Sequence, residues 1–250
     1  MYTKMVQDRI NKELAKIDYV YDEIDGSLLR EMFEKINDQC GSSYHYLCEI
    51  ANRLTPNASK IVLEYFDRFH SEGVRAFLLP QLLYDKNFPD ARIILNGYLR
   101  FKNSPEYISG KDKPSSAYIY VRYDNALKKL KPKKLKTELE SFVAYPRDVI
   151  YLPFTMRMLA SWKSSAVEAQ LGRYFNPTKI TAQEFGLPED SADFFPPVSS
   201  MRKELLFFAI AASVYYPSRE NIANVQKYLV SDDQNLRMAA QKAIKKIYPK

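Results

Sequence analysis

The sequence predicts an all-α protein. Three observations carry that expectation: apolar residues recur at helical spacing along most of the chain, strand-like alternation is scarce, and there are only seven glycines in 250 residues. At 46% hydrophobic and 27% charged, the composition is that of a soluble globular chain. Its length suits one large domain or a short stack of helical repeats. No apolar run approaches the roughly 18 residues that a membrane helix needs, and the longest is Leu205–Ile210 extended to Val214. The start, Met1-Tyr2-Thr3-Lys4, leads into an amphipathic helix and not into the apolar core of a signal peptide. The expected compartment is the cytoplasm, with no membrane partner.

Residues 3–17 read as a first helix, with Val6, Ile10, Leu14 and Ile17 on one face. A polar loop rich in Asp and Tyr is expected to run to Gly26. Leu28, Leu29, Met32, Phe33 and Ile36 mark a second helix, closed near Gly41 by a residue that tolerates the left-handed conformation. Tyr44, Leu47, Cys48, Ala51 and Leu54 mark a third, closed by Thr55-Pro56. Asn57 is a plausible cap for a fourth, which carries Ile61, Val62, Tyr65, Phe66 and Phe69.

From Glu72 a helix carries Leu78-Leu79-Pro80-Gln81-Leu82-Leu83, a turn runs over Lys86–Asp90, and a partner helix carries Ile94, Leu95, Tyr98 and Leu99. Residues 103–116, with Pro105, Gly110 and Pro114, read as a polar linker. Ala117–Tyr123 alternates tyrosines with Ile119 and Val121, which is strand chemistry. A helix to Leu130 is nevertheless expected, because a lone strand has no partner in the chain. Leu135, Leu139, Phe142 and Val143 mark one more helix, and Val149–Leu159 repeats the proline pattern at Leu152-Pro153-Phe154. Ala166–Phe175 follows as its partner. Residues 176–200 form a long irregular insertion with four prolines and one short helix opened by Thr181 and Glu184. Leu205–Val214 is apolar nearly all round, as a buried helix should be.

The last stretch, Asn221–Tyr248, is the most legible. Ile222, Val225 and Leu229 share one helix face, and a turn at Ser231-Asp232-Asp233 follows. Leu236, Ala239, Ala240, Ala243, Ile244 and Ile247 then form a stripe whose small residues admit a close neighbour. Ser231 with Gln234 has capping-box spacing, and Asp233 could cap alone.

This run resembles the HEAT repeat, whose second helix reads acidic turn, apolar, Arg, x, Ala, Ala, x, x, Ala, apolar. Here those positions are Asp233, Leu236, Arg237, Ala239, Ala240, Ala243 and Ile244. Leu78 to Asp85 is similar to the family's first helix, and Ala91-Arg92 to the start of its partner. The resemblance implies a right-handed α-α superhelix, a short HEAT-like solenoid of about six helical hairpins, in which each layer packs only on its neighbours. It implies a single domain over 1–250, with N-terminal layers at 1–71 and proline-marked repeats at 72–175. The insertion at 176–200 and a terminal repeat at 201–250 complete it. It also implies that Arg92 and Arg237 hold turn carboxylates and that the proline bends the first helix of its hairpin.

Function is less legible. Cys40 and Cys48 lie eight apart in helical territory, roughly 12 Å along an axis, too far for a disulfide without a bend. A zinc site would need Cys40, His45, Cys48 and a remote fourth ligand, and reduced structural cysteines are the plainer reading. No Gly-rich phosphate loop, HExxH, CxxC pair or nucleophile elbow is present. No catalytic residue, metal or cofactor is therefore expected.

The formal net charge of +7 implies attraction to polyanions or to an acidic protein. Its sharpest feature is the run Lys128, Lys129, Lys131, Lys133, Lys134 and Lys136, which could neutralise several phosphates and could equally be a solvated turn. Trp162 with Lys163 would line a groove, or pack in a turn. Size and charge are similar to those of HEAT-like DNA glycosylases that excise alkylated bases, although no catalytic segment of that family aligns here.

A protein partner bound on a concave solenoid surface is the leading expectation, an inhibitor or immunity-type protein being one case. Nucleic acid is the alternative partner. Oligomeric state is not legible.

Overall fold

The structure, a computed structural model, describes residues 23–44, 54–82, 90–104, 114–187 and 197–249. These residues hold twelve α-helices, short 3-10 turns and no strand, so the all-α class stands. None of these helices is long and apolar enough to cross a membrane. The chain groups into two compact units, Met1–Phe101 and Lys102–Lys250, a boundary inside the 72–175 segment. The expected helices at 3–17 and 44–54 and the turn at 86–90 fall wholly or mostly outside the described residues.

The first unit contains α1 (Glu23–Cys40), α2 (Pro56–Phe66), α3 (Glu72–Leu82) and α4 (Ala91–Lys102). Met32 and Ile36 of α1 are fully buried, as are Val62 and Phe66 of α2, and α1 packs on α2 and α2 on α3. Gly41 closes α1 at φ +65, as expected.

Two starts differ from the sequence reading. α1 is already helical at Glu23, ahead of Gly26, and its buried Asp25 accepts hydrogen bonds from the N–H groups of His70 and Ser71, both at 2.7 Å. That tertiary demand outweighs the helix cost of Gly26. α2 is capped by Thr55, whose hydroxyl accepts from the Ala58 N–H at 3.3 Å, and not by Asn57. Pro56 then takes N1, the one helical position that does not miss its N–H.

The second unit includes α5 (Pro114–Leu130), so the helical choice for 117–123 holds and the chain is already helical at Pro114, inside the expected linker. Leu135–Val143 is not one helix. It is a 3-10 turn, the short α6 (Lys136–Glu140) and a second 3-10 turn, with Leu135, Leu139, Phe142 and Val143 buried throughout. The proline segment is two helices, α7 (Pro146–Tyr151) and α8 (Pro153–Ser161). Leu152, at φ −116 and ψ 50, leaves the helix, and Pro153 restarts it. The residue before a proline is pushed out of the helical region, so the chain breaks where a bend was expected.

α9 (Ser165–Tyr174) follows, capped by Ser164. α10 (Val198–Ala212) is the hub of this unit, packed against α7, α8 and α9 and against α12 (Gln234–Ile247). Its Leu205, Ala209 and Ile210 are fully buried.

In the last hairpin α11 (Arg219–Gln226) stops before Leu229, which sits half-buried in a 3-10 turn. Asp233 alone caps α12, accepting from the N–H groups of Asn235 at 2.9 Å and Leu236 at 3.1 Å. Arg237 donates to the Ser231 carbonyl at 2.8 Å, and the carboxylate of Asp233 is ion-paired with Lys203. That Lys203 contact, with the capping N–H groups, holds the Asp233 carboxyl below its ordinary value.

The described half of the insertion is well anchored. Ile180, Phe185 and Leu187 are buried, Arg202 donates to the Ile180 carbonyl, and Arg173 pairs with Glu184. The short helix is a single 3-10 turn, Gln183–Phe185, opened by the Thr181 N–H donating to Glu184 at 2.8 Å. Gly186 ends it at φ +72, where an added Cβ would stand 2.7 Å from Nη1 of the buried Arg147. Gly186→Ala is therefore expected to destabilise the fold by about 2 kcal/mol, from left-handed strain plus displacement of Arg147. A urea melt with an unchanged midpoint would contradict this.

Candidate functional site

The lysine run forms the corner between α5 and α6. Lys128 and Lys129 occupy the last turn of α5, where positive charge favours the helix dipole. Lys131 takes the left-handed conformation at φ 47, its N–H donating to the Leu127 carbonyl at 3.0 Å. Pro132 (φ −77, ψ 77) then centres an inverse γ-turn, in which the Lys133 N–H donates to the Lys131 carbonyl at 2.8 Å. A proline just past the helix end cannot continue it, so the chain must turn here. Buried Leu135 and Leu139 pin the corner down. Lys128, Lys129, Lys131, Lys133 and Lys134 are exposed, and Lys136 is half-exposed and paired with Glu140 at 3.5 Å.

Lys128 reaches back onto α8. Its Nζ stands 3.9 Å from the ring centre of the half-buried Phe154, and the guanidinium of the exposed Arg157 lies 6.0 Å from the same ring. Beneath them the buried Asp124 accepts three hydrogen bonds, from the Phe154 N–H (2.8 Å), the Thr155 N–H (2.8 Å) and the Thr155 hydroxyl (2.7 Å). One α5 carboxylate thus caps α8 across the helix pair. Burial pushes its pKa up, and the Phe154 N–H and Thr155 groups pull it partway back.

Trp162 and Lys163 lie past the far end of α8, about 12 Å along the helix from Phe154. Trp162 is half-buried in the α8–α9 turn, its backbone N–H donating to the Met158 carbonyl at 3.0 Å. Lys163 is exposed at φ 51. The next residue, Ser164, is buried and its carbonyl accepts from the Tyr216 hydroxyl at 2.8 Å, a phenol that burial pushes up to about 12. The lysine corner touches the first turn of α8 through the Lys128–Phe154 contact, whereas Trp162 and Lys163 follow its last turn, so the two groups of predicted site residues are not brought together.

Other buried acidic groups are committed to the fold. Asp25 holds the approach to α3, and Asp148 is ion-paired with Lys102. Among the described residues no group of three or more His, Cys, Asp or Glu side chains could hold a metal ion. Cys40 is half-buried and not in a disulfide, while His45 and Cys48 lie outside the described residues.

Sequence reasoning missed a small notch between α7, α8 and α10. It is lined by the apolar Ile150, Pro153, Phe207 and Phe208 and by Arg157 and Glu204, and has a volume of about 20 Å³. Lys203 lies 6.0 Å from the ring centre of Phe207. The pairs Phe154/Arg157 and Lys203/Phe207 have helical spacing and were legible as such. That Arg157 and Phe207 line one notch depends on α8 packing on α10, which is tertiary.

Charge is unevenly shared between the units. Residues 102–250 carry 24 Lys and Arg against 15 Asp and Glu, while residues 1–101 carry 13 against 15. The whole positive excess belongs to the second unit. Comparison with family models, with curated proteins and with solved structures gives no match.

Proposed function

We propose that the chain is a non-catalytic binding module for a protein partner, its hairpins stacked in the HEAT manner into a short right-handed solenoid in the cytoplasm. The observation that carries this reading is the use made of the buried carboxylates. Asp25, Asp124 and Asp148 are the fully or nearly fully buried carboxylates among the described residues. Two hold backbone N–H groups at helix starts, and the third is paired with a lysine. Among the groups that the second unit presents outward are the lysine corner and the apolar Val121, Tyr145 and Val230. The last hairpin, with Asp233 as cap and Arg237 on the turn carbonyl, supports the repeat-like stacking.

Affinity capture on the tagged full chain, followed by calorimetry with the captured species, tests the proposal. The expected result is a protein that binds stoichiometrically. Nucleic acid co-purifying without any stoichiometric protein would overturn it.

A second reading, nucleic-acid binding, is favoured by the confinement of the positive excess to the unit that holds the lysine corner. Interface cores between proteins are depleted in lysine, whereas phosphate backbones are met by it. Excision of alkylated bases is a narrower form of this reading and would need an acidic group and an aromatic beside that corner.

A further inference from the structure

We propose that the exposed side of α8, continuous with the lysine corner, is a track for the phosphate backbone of duplex nucleic acid, held without regard to base sequence. This site rests on the second reading above, nucleic-acid binding, and gives it a path and a ligand class.

Residues 125–137 and 149–167 together carry eight Lys and Arg side chains and no Asp or Glu. The two stretches meet where Nζ of Lys128 stands over the Phe154 ring, as α8 packs on α5. Among the described residues, Lys102, Lys136, Arg173 and Lys203 of the same unit are ion-paired, whereas Lys128, Lys131, Lys133, Lys134, Arg157 and Lys163 are not. All six of these are exposed. Arg157 stays out of an ion pair although Glu204 lines the same notch.

The backbone points the same way. Lys131 and Lys163 are the non-glycine residues of the described chain with positive φ, at 47 and 51. Each follows the end of one of the two packed helices. Lys131 closes α5 with its N–H on the Leu127 carbonyl at 3.0 Å. After α8, the N–H groups of Lys163 and Ser164 donate to the carbonyls of Ala160 (2.9 Å) and Leu159 (3.2 Å). A helix ends most easily on glycine at such positions, because a Cβ is strained there. Lysine at both ends forgoes that stability and sets a charge in its place, which directs attention to what the side chain meets.

A phosphate backbone suits this surface better than a protein does. Protein interfaces centre on aromatic and apolar anchors and are depleted in lysine. Here no large apolar side chain is fully exposed: Leu130, Phe154, Met158 and Trp162 are half-buried. Single strands are held by free aromatic faces on which their bases stack. The Phe154 ring instead carries Lys128 at 3.9 Å and Arg157 at 6.0 Å. Charge is what remains, and phosphate contacts position a duplex without reading its sequence. From Phe154 to Trp162 the track runs about 12 Å, the rise of about four phosphates of one strand.

The test is fluorescence anisotropy of the full chain with a labelled short duplex over a salt series, comparing Lys131→Gly, Lys163→Gly and Arg157→Gln with the unmodified chain. Each substitution is expected to weaken binding severalfold at about 100 mM salt and to lower the magnitude of the log–log salt slope by about one. The two glycine variants should hold or raise the midpoint of a urea melt, since glycine accepts positive φ, so that unfolding does not explain their loss. Two duplexes of unrelated sequence should bind alike, and a single strand of the same length more weakly.

A slope that either Arg157→Gln or Lys163→Gly leaves unchanged would overturn the track and leave the nucleic-acid reading to the corner alone. Equal or tighter binding of the single strand would overturn it as well. So would displacement of the duplex by polyglutamate of equal charge, which would make an acidic protein the occupant. An unmodified chain that binds no duplex removes the track and the nucleic-acid reading together.

Discussion

Asp124→Ala is expected to lower stability by about 3 kcal/mol, with the midpoint of a urea melt moving down accordingly. The carboxylate accepts from two backbone N–H groups and one hydroxyl at the start of α8. A buried donor left unmade costs about 1–3 kcal/mol. The Phe154 N–H is the least buried of the three and can find water, and removing a buried ionisable group returns part of its desolvation cost, which keeps the total near the lower end of the sum. Asp124→Asn retains an acceptor oxygen and should lose less.

The pH dependence has a definite sign. Burial raises this carboxyl above its ordinary value of 3.8 against the pull of the Phe154 N–H, the Thr155 groups and Lys128. A group that holds its proton more tightly when folded contributes stability that is complete below its unfolded pKa and is lost as the pH rises through the folded one. The Asn variant cannot titrate at this position. The stability of the native chain relative to Asp124→Asn should therefore decline as the pH rises through that window. A difference that grows with pH would mean that the three donors outweigh burial.

The same cap shows what the sequence could and could not reveal. Local signals were readable: the stripe Leu236, Ala240, Ala243, the choice of Asp233 as one of two caps, and the closure of α1 at Gly41 each depend on neighbours within a turn or two. Asp124 meets Phe154 and Thr155 from thirty residues away, and Asp25 meets His70 and Ser71 from further still, so neither role has a local signature. Asp25 also sits in a helix that runs through Gly26, a case of tertiary demand overriding propensity.

The misread proline at 153 has another cause. Its effect on Leu152 was a local rule, but whether the chain bends or breaks depends on what receives the new helix start, and here that is Asp124. At the site, the lysines were legible as charge. Their seat was not: Lys128 is defined by Phe154, and Phe154 faces it only because α8 packs on α5.

Changing Lys128, Lys129, Lys133 and Lys134 together to Glu should abolish any affinity for duplex DNA. If these four side chains meet phosphates, the unmodified chain should lose orders of magnitude in affinity between roughly 50 and 200 mM salt, with a log–log slope of about −4. Reversing four charges turns that attraction into repulsion, so the residual binding should be flat in salt.

Helicity should survive. All four side chains are exposed, and the corner is held by Leu135 and Leu139 beneath it. Lys128 carries a structural share, its contact with the Phe154 ring, worth about 0.5–1 kcal/mol at an exposed site. A triple variant that spares it separates that loss from the loss of binding. An unmodified chain without a salt-dependent shift would make the corner a solvated turn and remove the nucleic-acid reading. Binding without release of a base from an alkylated duplex would leave a DNA binder and end the likeness to the glycosylases. Trp162, at the other end of α8 from the corner, would then be a packing residue of the α8–α9 turn.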